Sequence, residues 1–162
     1  MDSTDIPDLI PETSYLIEDG DMKRTAEIFR QNISRGFSGL CISREKPDRL
    51  RYSYGLEQVS FIWLSSNADA KTDDVIVMGP TSITNLSQEI DAFLAAREKS
   101  LVLFTGIEYL STQNGFKSVI NLLYLLNDKI MSGNNILIVA VNPQAFTTQD
   151  LNLLRSEMSN LK

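Results

Sequence analysis

Histidine is absent from this 162-residue chain, and cysteine occurs once, at Cys41. Without histidine there is no Ser-His-Asp or Cys-His nucleophile, and the commonest ligand of zinc and other transition metals is missing. The general bases that remain are carboxylates and lysines, and nothing in the sequence singles one out. No catalytic residue, metal site or cofactor is therefore expected, and the chain is not expected to be an enzyme. A lone cysteine cannot close an internal disulfide, which points to a cytoplasmic address. Long apolar runs are lacking too: none approaches the roughly 18 residues a membrane helix needs, so no membrane association is expected. Bases are outnumbered, 15 Lys and Arg against 21 Asp and Glu, for a net charge of −6. That balance opposes the phosphate neutralisation on which nucleic-acid binding depends, so no nucleic-acid partner is expected. The opening MDSTDIPDLIPE holds four acids, two prolines and no base. A secretory leader starts basic and continues apolar, so residues 1–12 read as a flexible acidic tail or linker, and residues 13–162 as one domain.

What is present is an alternation of short apolar runs with longer segments of helical period. Tyr15 to Ile17, Gly39 to Ile42, Val59 to Leu64, Val75 to Met78, Leu101 to Phe104 and Ile136 to Val141 read as strands. Met22, Ala26, Phe29 and Ile33 share one face of a helix that Asp21 can cap and Gly36 can end. A short helix is expected around Pro47 to Tyr52, and another carries Ile83, Leu86, Ile90 and Phe93. A long helix runs from Gly115 to Ser132, and a last one, opened by Thr147 with Asp150, bears Leu151, Leu154, Met158 and Leu161. Ser65 to Asp74 reads as a loop. The order β-α-β-α-β-β-α-β-α-β-α, with strands apolar enough to be covered on both faces, predicts a three-layer α/β fold. Its sheet should be doubly wound and mainly parallel. Ligands of such sheets bind at the carboxyl ends of the strands. The segments to watch are therefore Glu18 to Met22, Ser43 to Arg49, Ser65 to Asn67, Thr105 to Glu108, and Asn142 with Pro143.

A nucleotide triphosphatase of this layout would carry G-x-x-x-x-G-K-[ST] after its first strand. The corresponding stretch is EDGDMKRTAEIF, with one glycine and acids where a triphosphate would be repelled. After the strand LVLF, Thr105 and Gly106 stand where a magnesium-binding aspartate would be, with Glu108 the one nearby substitute. The expected fold is thus RecA/P-loop-like without a P-loop, and without the apparatus for hydrolysis.

The stretches GFSGLCISREKPDRLRYSYGL, FIWLS, PTSITNLSQEIDAFL and LVLFTGIEYLSTQNGFKSVINLLYLLND resemble an archaeal domain-of-unknown-function family, number 835, common in methanogens. The likeness spans about Ser14 to Glu157. More distantly, the layout is similar to RecA/KaiC-like ATPases and to the sensory domain of methanogens and methylotrophs, a core of that kind with an eroded phosphate loop. The resemblance implies a RecA-like sheet used in signalling or regulation and supplies no catalytic residues. Relatives tend to carry Asp where Thr105 stands, so no role of that acid carries over to this chain.

Six residues are candidates for binding a ligand or partner: Ser43, Arg44, Arg49, Thr105, Glu108 and Tyr109. Ser43, Arg44 and Arg49, with Arg51, Tyr52 and Tyr54, form either an anion-binding edge or a solvated helix whose Arg-Asp pairs satisfy one another. Glu108 and Tyr109 either line a pocket or cap the next turn. Cys41, inside an apolar strand, reads as core. The Asn-x-Ser matches at Asn32 and Asn85 read as chance.

The expectation is a non-catalytic regulatory or signal-transduction module that binds a protein partner, with a small anionic ligand as a further candidate. The alternative is a domain that senses nucleotide without hydrolysing it. The long helix holds more apolar residues than one stripe can bury: Phe116, Ile120, Tyr124, Leu125 and Met131 cannot all face the sheet with Val119, Leu122, Leu123, Leu126 and Ile130. Either neighbouring helices cover that remainder or a second copy does, as a homodimer.

Overall fold

The computed structural model describes residues 6–66 and 74–161. Seven strands form one sheet: β1 (Thr13–Glu18), β2 (Ser38–Ser43), β3 (Val59–Leu64), β4 (Val75–Met78), β5 (Lys99–Phe104), β6 (Asn134–Val141) and β7 (Ser159–Asn160). Their order is β4-β3-β2-β5-β6-β1-β7, and every pairing is parallel. The helices are α1 (Met22–Ile33), α2 (Pro47–Tyr54), α3 (Ile83–Ala95), α4 (Ile107–Asn114), α5 (Phe116–Met131) and α6 (Thr148–Glu157), with a 3-10 turn at Pro143–Ala145.

The strands read as continuous apolar runs because both faces of the sheet are covered. Alternate residues serve opposite sides: Leu16, Ile42, Val102, Phe104, Leu137 and Val139 pack with residues of α3, α4, α5 and α6. On the other face Ile17, Cys41, Phe61, Leu103 and Ile138 pack with Ala26, Ile28 and Phe29 of α1 and Leu50 of α2. The result is the three-layer, doubly wound arrangement that the alternation of elements predicts. The caps agree locally as well, since the Asp21 carboxylate accepts from Lys23 N and the Thr147 hydroxyl from Asp150 N. Among the described residues no helix is long and apolar enough to cross a membrane.

Four expectations change. Residues 1–5 of the acidic opening lie outside the described residues, but residues 6–12 are laid against α1 rather than hanging as a tail. Leu9 is 1% exposed; its N–H donates to Asn32 Oδ1 (3.0 Å), Asn32 Nδ2 donates to Pro7 O (3.2 Å), and Arg35 Nη1 donates to Leu9 O (3.1 Å). The segment after β5, where no helix was expected, forms α4, set between Gly106 (φ 81°) and Gly115 (φ 85°), both in the left-handed region. The last helix ends at Glu157, because Met158 is extended and residues 159–160 pair with β1 as β7. Met158 still reaches the core beside α6, whereas Leu161 packs on the opposite face. The surplus of α5 is partly absorbed. Ile120 is buried and the Phe116 ring meets Phe146 edge-on at 6.0 Å, while Tyr124, Leu125 and Met131 stay 37%, 55% and 49% exposed. Most of the loop expected from Ser65 to Asp74 lies outside the described residues.

Candidate functional site

The carboxyl ends of β1, β2, β5 and β6 open onto one cleft of about 370 Å³. Its position follows from the topology: β2 and β5 are neighbours whose chains leave the sheet to opposite faces, β2 towards α2 and β5 towards α4, so a crevice opens between them. The first turn of α1 closes one side with Met22 and Thr25, and Ala140, Val141 and Asn142 at the end of β6 close another.

Ser43, Arg44, Thr105, Glu108 and Tyr109 all line this cleft, brought together from segments about 60 residues apart in sequence. Arg49 does not line it. Its side chain is 74% exposed on α2, with Nε 3.5 Å from Oε2 of Glu45, which precedes the helix. The basic edge therefore divides, with Arg44 in the cleft and Arg49 in a solvated ion pair. Arg51 likewise pairs with Asp48 and Asp74.

Most of the polar side chains of the cleft are held by a neighbour that explains their place. The Arg44 guanidinium lies 4.0 Å over the Tyr109 ring, and its Nη1 donates to Leu64 O at 3.3 Å. Trp63 Nε1 donates to Arg44 O at 3.2 Å, fixing the backbone beneath. Gly106 permits this approach: a Cβ there would stand 3.3 Å from Leu64 Cδ1 and 3.5 Å from Arg44 N, on a backbone that L residues avoid. Thr105 Oγ1 donates to Ile42 O at 2.7 Å, pinning β5 to β2 where an acid would otherwise project. Ser43 Oγ accepts from Glu45 N at 2.9 Å. Glu108 Oε2 accepts from Asn142 N at 2.6 Å, so this carboxylate ties α4 to the chain leaving β6. Glu108 lines the cleft, and the backbone donor it satisfies belongs to the chain leaving β6 rather than to the turn after β5.

Asp19 Oδ1 accepts from Asp21 N at 2.9 Å, and Asp21 caps α1, so the helix N-terminus facing the cleft is already served by carboxylates. Behind the cleft, burial pushes the Cys41 thiol up to about 12, with the Glu45 charge adding to the effect. A thiol so shifted stays protonated and is not a nucleophile. Among the described residues no group of three or more His, Cys, Asp or Glu is placed to hold a metal ion.

Thr25, Leu50, Tyr109, Ala140 and Val141 line the cleft from outside the segments expected at the strand ends, and of these Thr25 is the polar one that was not a candidate. Thr25 is 1% exposed, and its hydroxyl is buried with no partner among the described residues. The signal for it was its position beside the Met22, Ala26 and Phe29 stripe of α1, which turns it towards the sheet. Its residue type gave no reason to look there.

The fold has solved counterparts. The flagellar accessory protein FlaH from Methanocaldococcus jannaschii matches with a TM-score of 0.59 at 14% identity, over 92% of this chain and 70% of that one. The Pyrococcus horikoshii OT3 protein PH0250 matches with a TM-score of 0.62 at 12% identity, over 96% of this chain and 84% of that one. At these identities the likeness is one of fold, a RecA-like α/β sheet. No curated protein matches the sequence. The model of a family described as a protein of unknown function, DUF835, matches residues 19–158, nearly the whole of the described chain, and the chain belongs to that family.

Proposed function

We propose that the chain is a non-catalytic regulatory module of signal transduction that binds a protein partner over the cleft at the carboxyl ends of β1, β2, β5 and β6. The observation that supports this most is the state of the ionisable groups there. Glu108 holds Asn142 N, Arg44 is stacked on Tyr109 and bonded to Leu64 O, and carboxylates serve the α1 N-terminus. Groups held this way shape a binding surface, and carboxylates at the α1 N-terminus oppose a triphosphate there. A small anionic ligand has less support, because Arg44 is the one basic residue lining the cleft among the described residues and Arg49 stands apart.

A thermal-shift panel with ATP, GTP, cyclic nucleotides and magnesium tests this reading. A ligand at about 100 times its dissociation constant stabilises a fold by about 2.7 kcal/mol, and we expect no such shift with any member of the panel. A clear rise with one nucleotide would favour a nucleotide-sensing domain instead.

Self-association belongs to the same proposal, through what remains of the α5 surplus at Tyr124, Leu125 and Met131. Light scattering after gel filtration is expected to show a dimer that Tyr124→Glu with Leu125→Glu converts to a monomer. A monomer mass at every concentration of the unaltered chain ends the homodimer proposal.

A further inference from the structure

The cleft carries three carboxylates, from Asp19, Glu45 and Glu108, against the single guanidinium of Arg44. Glu45 is paired with Arg49, and Arg44 is engaged with Leu64 O and Tyr109. Asp19 and Glu108 differ from these, because each uses one oxygen for a backbone amide and the second has no partner among the described residues. The third acceptor is the Thr25 hydroxyl, buried and unpartnered in a residue lining the same cleft. A hydroxyl left so costs free energy in the empty fold, which points to a polar group that belongs there.

We propose that the cleft takes a primary alkylammonium group, either on a small aliphatic amine or at the end of a lysine side chain. The inference rests on the binding-module reading above and names the chemistry of its ligand. An ammonium has three donors and no acceptor, and the acceptors this cleft leaves over are Asp19 Oδ2, Glu108 Oε1 and Thr25 Oγ1. A guanidinium suits the site less, since the aromatic face it would stack on is already covered by Arg44. An anion would meet the two carboxylates without a free cation to offset them. Met22, Leu50 and Ala140 line the same space and suit an alkyl stem.

The test is an amide NMR titration of the full chain with n-butylammonium, 1,4-diammoniobutane and a capped lysine amide, against n-butanol, butyrate, inorganic phosphate and magnesium ATP. Saturable shifts at Asp19, Thr25, Glu108 and Asn142 are expected with ammonium probes alone, and the tightest of the three probes distinguishes a free amine from a lysine side chain. Glu108→Gln and Asp19→Asn keep the oxygen that each backbone amide uses, and each should weaken binding about tenfold, the loss expected of one charged hydrogen bond. Thr25→Val removes only the unpartnered hydroxyl and should weaken binding without lowering the melting temperature. Shifts as large with n-butanol, or none with any ammonium probe, overturn the inference. Shifts with phosphate or butyrate instead overturn it while leaving a binding module, whereas phosphate release from ATP overturns the reading beneath it.

Discussion

Cys41 has no exposed surface in β2, and its thiol keeps its proton to about 12 in the folded chain, against 9.0 for an ordinary cysteine. Between those values the unfolded chain binds fewer protons than the folded one. The contribution of this thiol to stability is therefore complete below about pH 9 and is lost as pH rises towards 12. The gap corresponds to about 4 kcal/mol at full extent. Tyrosines and lysines titrate in the same range, so the informative quantity is the difference in urea midpoint between the chain and Cys41→Ala. That difference should shrink as pH rises from 8 to 11, and a constant difference would show that burial does not hold the thiol neutral. The burial was legible in the sequence, because a cysteine between Leu40 and Ile42 in an apolar run reads as core. The partners of Arg44 were not, because Tyr109 comes from α4 and Leu64 from the end of β3, and only the assembled sheet brings them together.

Among the elements, the sequence marked those whose local pattern and tertiary setting agree. Strands covered on both faces announce themselves as apolar runs, and α1 and α5 carry full stripes. α4 did not, since its eight residues bury only Ile107 and Leu110, too few to establish a period. β7 was also hidden, because two polar residues are held as a strand by pairing with β1 and by Leu161 N donating to Leu16 O at 2.9 Å. The segment 6–12 was misread for the opposite reason. Its composition is that of a tail, and what docks it is the burial of Leu9 together with Asn32 of α1, which bonds to Leu9 N and Pro7 O, and Arg35, which donates to Leu9 O. Asn32→Ala strands the Leu9 amide without its acceptor, so it should lower stability by about 1–3 kcal/mol and speed exchange of that amide. Denaturant melts with hydrogen exchange would check this, and an unchanged rate at Leu9 would show that the segment is held by other means.

At the scale of the whole molecule, a RecA-like sheet has its cleft at the carboxyl ends of the strands, and several of the groups lining that cleft are engaged with the chain's own backbone. Carboxylates face the α1 N-terminus, Thr105 bonds to β2, and Glu108 holds the chain beyond β6. The fold class and the strand ends that form the cleft were readable from element order. The strand order was not, since it depends on which long-range pairings win. On the function proposed above, this cleft binds a partner without performing phosphate chemistry. Phosphorus NMR of the chain with magnesium ATP over many hours tests it most directly. The three nucleotide resonances are expected to keep their positions and widths, with no inorganic phosphate line growing. Broadened resonances, with inorganic phosphate rising in proportion to the chain and abolished by Glu108→Gln, would contradict it.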